Sequence, residues 1–91
     1  MTMLELLGKS ERWTQQAEAR NLIGEACESS NSLATCWCLM GASSKCYGQG
    51  KEMHAVLDKL DTATGYHIIA WNDDLERTHA EVLELLKKLD I

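Results

Sequence analysis

Apolar residues along the chain fall into four stretches with helical spacing and one with the character of a strand. Thr2-x-x-Glu5 is a capping box, in which hydroxyl and carboxylate satisfy first-turn N–H groups reciprocally; it opens a short helix through Leu4 and Leu7 that Gly8 ends. Leu33, Cys36, Trp37 and Met40 recur at i, i+3, i+4 and i+7, which predicts a core helix from Leu33 to Ala42 with Asn31 or Ser32 as its cap. Its flank of Ala34, Cys38, Gly41 and Ala42 would let another backbone approach closely. A loop through Ser43, Ser44, Cys46, Gly48 and Gly50 leads to a third helix marked by Met53, Val56, Leu57 and Leu60, with Gly65 as its break. The fourth helix starts at a second capping box, Thr78-x-x-Glu81. It carries Val82, Leu85, Leu86 and Leu89 on one face, with Lys87 and Lys88 at the negative end of its dipole.

The run "YHIIAW", residues 66–71, is aromatic and β-branched and reads as a strand, with Tyr66, Ile68 and Ala70 on one face and His67, Ile69 and Trp71 on the other. "SERWTQQAEARN" supports two readings. As a helix from Ser10 it offers only the poor stripe Trp13, Ala17, Arg20 and Gly24; as an extended segment it places Trp13, Ala17 and Ala19 on one side. Asn72 to Arg77 then connects strand to final helix, since Asn and Asp bond their own backbone in turns. The expected fold is mainly α, about four helices, with a minor β component from residues 66–71 paired with residues 13–19: a small α+β protein forming a single domain over residues 1–91.

A chain of 91 residues hides only about two thirds of its unfolded surface, so the core is thin. With 14 acidic against 9 basic residues the net charge is -5, which disfavours direct nucleic-acid or anionic-membrane partners. No stretch of about 18 apolar residues suggests a membrane span. The opening "MTMLELLGKSER" has no basic region followed by an apolar run, so a cytoplasmic protein is expected. Cys27, Cys36, Cys38 and Cys46 accordingly read as reduced thiols that act as small hydrophobes. A zinc module is the alternative. Residues two apart on a helix point about 200° apart, so Cys36 and Cys38 could chelate together only from a strand or loop, with Cys46 and His54 or His67 completing the set. No other cofactor is expected.

The chain has no G-x-S-x-G elbow, phosphate-cradling glycine loop or H-E-x-x-H. A loose catalytic set would take Cys36, Cys38 or Cys46 as nucleophile, His54, His67 or His79 as base and Asp73 as orienter. Binding without catalysis is the preferred reading, in two forms. In a protein-interaction module, Trp13 or Trp71 would combine with Asp73, Asp74 and Glu76 to select a basic partner surface. In a binder of small anions or nucleotides, Trp13, Gln15, Arg20, Asn72 and Asp73 would line a pocket, with Arg20 gripping the anion bidentately. A purely structural alternative makes Asn72 and Asp73 turn residues and pairs Arg20 with Asp73.

The segments "WTQQAEAR", "ATCWCLMGA" and "IIAWNDDLERTHAEVLELL" resemble, in order, the W-T-Q-x-A-x-A-R, W-C-x-x-G-A and W-N-D-x-x-x-R-T-x-x-E-V motifs of an uncharacterised domain-of-unknown-function family of phages, prophages and actinobacteria. The chain departs from it at Asn21, where the family carries an acidic residue, and in a shorter, serine-rich segment before the central motif. The resemblance implies a small soluble protein of phage or bacterial accessory type and brings no activity with it; in the interaction-module reading such a protein would modulate a host protein.

Overall fold

A computed structural model describes residues 1–91 and places five α-helices around a small antiparallel sheet: α1 (Met3–Leu6), β1 (Ala19–Asn21), β2 (Ala26–Cys27), β3 (Ala34–Trp37), α2 (Leu39–Tyr47), α3 (Lys51–Thr64), α4 (Ile68–Asp73) and α5 (His79–Leu89). A short 3₁₀ turn, Ser10–Arg12, precedes the sheet. Both capping boxes form. Thr2 and Thr78 accept from the backbone of Glu5 and Glu81, whose carboxylates bond back to the threonine N–H groups. The α3 helix ends where Gly65 takes a left-handed conformation, φ 75°.

The sheet is built from segments other than those expected. Its order is β2-β1-β3, with Ala19 opposite Cys27 on one side and Trp37 on the other, and a bulge between Arg20 and Asn21. Residues 13–19 therefore do not pair with residues 66–71. Trp13 instead bridges Trp37 in parallel, and Thr14 donates its N–H to the Trp37 carbonyl at 3.1 Å. The predicted helix from Leu33 is likewise displaced: residues 34–37 are strand, Leu33 is 67% exposed, and the helix begins at Leu39. Its cap is the Cys38 thiol, which accepts from the Gly41 N–H at 3.3 Å; cysteine is not among the usual capping residues, so the true start is hard to see in the sequence.

Residues 68–73 form a helix despite their β-branched composition. The ring of His67 accepts from the Ile69 N–H, and the Asp61 carboxylate accepts from the Ile68 N–H at 2.9 Å, so two of the orphan donors at the start of α4 are met. Ile68 and Asn72, i and i+4, are buried together while Ile69 and Ala70 face outward. Strand alternation would have set Ile69 beside Trp71. In so short a run the two periodicities differ by one or two positions, and the caps decide between them.

The helices enclose one core of Met3, Leu6, Leu7, Leu39, Ala42, Val56, Leu60, Ile68, Val82, Leu85, Leu86 and Ile91, with Ala19 and Trp37 supplying the sheet's share. The sheet meets α2 closely at Gly41: a Cβ there would lie 2.0 Å from the Glu18 carbonyl oxygen, which also accepts the Cys38 N–H at 3.1 Å. No helix is long and apolar enough to cross a membrane.

Gly41→Ala must push β1 away from α2, and we expect it to cost at least about 1–3 kcal/mol; a urea midpoint equal to that of the wild type would contradict the close approach. The caps carry a pH signature as well. Hydrogen bonds from the Thr2 and Thr78 backbone, then from their hydroxyls, hold Glu5 and Glu81 below the usual carboxylate range. A carboxyl depressed in the folded state contributes stability above its unfolded pKa and loses that contribution as pH falls through the folded value. Glu81→Gln keeps the box but cannot titrate. Its urea midpoint should therefore fall less steeply than the wild type's between about pH 5 and pH 3.

Candidate functional site

The C-terminal carbonyls of a helix have no partner within it, and a six-residue helix has few others to spare. In α4 the last three, and that of the capping Asp74, are met by side chains from elsewhere. Arg77 Nε donates to the Trp71 carbonyl at 2.9 Å, Gln15 Nε2 to those of Asn72 and Asp74 at 2.8 Å each, and Gln16 Nε2 to that of Asp73 at 3.2 Å. The Asp73 carboxylate returns the contact by accepting the Gln16 N–H at 3.0 Å. Gln16 adopts φ 67° to make this fit, a left-handed conformation uncommon for a residue with a side chain.

At the centre is Asn72, 1% exposed. Its Oδ1 accepts from Trp13 Nε1 at 2.8 Å and from the Leu39 N–H at 3.1 Å, while its Nδ2 donates to the Thr14 carbonyl at 3.2 Å and to Asp73 Oδ1 at 2.8 Å. One amide thus joins the N-terminal segment, the first turn of α2 and the end of α4. Every donor and acceptor it owns is spent.

The residues expected to line a pocket are therefore brought together, but against each other. Trp13, Gln15 and Asp73 each bond to Asn72. Arg20 does not reach Asp73: its guanidinium bonds to Thr14 Oγ1, the Gln15 carbonyl and the Gly24 carbonyl, at 3.0–3.2 Å, which braces the segment from behind. The indoles have separate neighbours. Trp13 lies tilted against His79, centroids 6.3 Å apart, while Trp71 is covered by the Arg77 guanidinium, 3.8 Å above its ring. His79 in turn meets the Leu7 carbonyl at 2.7 Å through Nε2, which must carry the proton because a carbonyl can only accept.

The cysteines and histidines are dispersed, and no three His, Cys, Asp or Glu side chains converge as a metal would require. Burial pushes the Cys38 and Cys46 thiols up, so both stay protonated near neutral pH and are weak nucleophiles.

What the lock leaves open lies on the outer side of α4. Tyr66, Ala70, Trp71, Asp74 and Arg77 line a hollow of about 280 Å³, in which Tyr66 is 67% exposed. Its wall is fixed: Arg77 stacks on the indole, reaches Glu81 at 3.0 Å and pairs with Asp74 at 3.9 Å. Sequence reasoning marked Trp71 but passed over Tyr66, Ala70 and Arg77, because only the helical turn of residues 68–73 sets them on one side. The β turns present another apolar group: Leu22 and Ile23 at the turn after β1, and Leu33 before β3, all exposed.

The geometry defines a small α+β domain in which residues from the two ends of the chain close over a short helix by side-chain-to-backbone bonds. The chain belongs to a family of unknown function, DUF6197, whose model matches residues 2–89. No curated protein and no solved structure matches it.

Asn72→Ala should be the most damaging polar substitution in the chain. It strips the partner from the Trp13 and Leu39 N–H groups and from the Thr14 carbonyl in a buried place, a loss of about 3–5 kcal/mol. Asp73→Asn retains an oxygen for the Gln16 N–H and should cost about 1 kcal/mol. Urea unfolding of the two variants, followed by tryptophan fluorescence, checks the order; an Asn72→Ala midpoint at or above that of Asp73→Asn would refute the lock.

Proposed function

We propose that the protein is a non-catalytic interaction module that docks a partner protein against the outer face of α4. The observation that carries this reading is the convergence of Tyr66, Trp71 and Arg77 on one preformed hollow. Tyrosine, tryptophan and arginine dominate binding hot spots, and a wall already held by a cation–π stack and two ion pairs loses little entropy on docking. Asp74 lines the face, while Arg77 is already paired within the chain. The complement is a partner that offers an apolar anchor flanked by basic residues. Aliphatic side chains at the β turns give such a protein a second exposed surface, against which the first can be tested.

The three spaced motifs support a role as a phage or bacterial accessory protein acting on a host protein. Four free thiols support action in the cytoplasm. A small anion bound by Arg20 has less in its favour, because that guanidinium already makes three bonds within its own segment.

Substitutions on the hollow leave the Asn72 lock intact, so they separate docking from folding. Tyr66→Ala and Ala70→Glu should remain folded yet lose at least about tenfold in capture of the partner from a lysate of the producing cells. Leu22→Ser/Ile23→Ser should capture it as the wild type does. Quantitative pull-down with mass spectrometry reads all three; capture lost only from the β-turn variant would move the docking face to the sheet and overturn this assignment.

A further inference from the structure

A second recess lies between the β2–β3 connection and the end of α2. It measures about 530 Å³ and is lined by Glu18, Glu28, Ser29, Ser30, Ser44 and Gln49 together with the Gly48 backbone; none of these residues is hydrophobic and none is basic. Ser29 decides its character. The residue is 1% exposed, and its carbonyl is taken by Trp37 Nε1 at 3.1 Å, but its hydroxyl bonds to no atom of the chain. No side-chain nitrogen or oxygen sealed from solvent lacks a partner. The little exposure Ser29 has must therefore lie at its Oγ, which opens on the recess.

The exposed Glu18 lies beside it. Its Cγ sits 3.2 Å from where a Gly41 Cβ would be, and its carbonyl accepts the Cys38 N–H, so its stem packs against the first turn of α2. Two carboxylates with no facing cation repel an anion, and the absence of apolar lining gives a hydrocarbon nothing to gain. Two carboxylates also fall short of the donor set of a protein-held metal. A group made wholly of N–H donors and bearing positive charge matches all the acceptors at once.

We propose that this recess binds an organic cation, a guanidinium or primary ammonium group, with Glu18 and Glu28 supplying charge and the Ser29 hydroxyl a buried acceptor. The cation could be a free small amine or a basic side chain of a bound peptide; the chemistry is shared and the probes differ. Amide spectra of the ¹⁵N-labelled chain, titrated at constant ionic strength with agmatine and separately with the peptide Gly-Arg-Gly, should show saturating shifts confined to residues 28–30 and 44–49. Saturation by agmatine assigns a free amine, and saturation by the peptide alone assigns a partner's side chain. Glu18→Gln/Glu28→Gln should weaken binding about tenfold or more, and Ser29→Ala severalfold, since the carboxylates supply opposite charge as well as acceptors and the hydroxyl an acceptor alone. Ser29→Ala keeps the carbonyl that holds Trp37, so its fold should be unchanged. No saturable shift with either probe, unchanged affinity in either variant, or the same shifts produced by calcium would each overturn the assignment.

Discussion

One buried amide governs this structure. Asn72 accepts from an indole and a helix-initiating N–H, donates to a carbonyl and a carboxylate, and does so from the last turn of a helix too short to hold itself. A single turn of helix costs more in ordering than its one or two internal bonds return, so α4 exists because tertiary partners complete it. The glutamines of the N-terminal segment and Arg77 act as a detached C-cap, taking the place of the glycine that ends α3. Trp13, Gln15, Asn72 and Asp73 look like site residues in the sequence because they are polar or aromatic at unusual positions. They are in fact each other's ligands.

The two ends of the chain were read correctly from local chemistry. Thr2-x-x-Glu5 and Thr78-x-x-Glu81 fix their helix starts through bonds spanning three residues, and Met53 to Leu60 keep a helical repeat long enough to be unambiguous. The middle was misread for a physical reason. Leu33, Cys36, Trp37 and Met40 satisfy a helical template, yet Trp37 is drawn inward by sheet pairing with Ala19 and by its indole bond to the Ser29 carbonyl, neither of which a hydrophobic repeat registers. The run 66–71 failed the other way: β-branched side chains favour a strand, but Asp61 and His67 offer caps that composition does not register. The candidate site was legible as a set of residues. Its direction was not, since no local rule tells an Asn that presents its amide from one that buries it.

This inversion changes which side chains of the segment face solvent. Once the amide and carboxylate of the W-N-D triplet turn inward, the indole's remaining edge, Tyr66 and the guanidinium of Arg77 turn outward together. Rigidity on the inside and availability on the outside are two faces of one helical turn.

The bonds from Trp13, Gln15 and Gln16 to the end of α4 span 57 to 59 residues of sequence. Such closures come late in folding, because the loop entropy between their ends must be met before they return anything. The exposed aromatic face therefore takes shape only together with these long-range closures, and cleavage of the chain at residues 14–16 would loosen that face while leaving every residue of it intact.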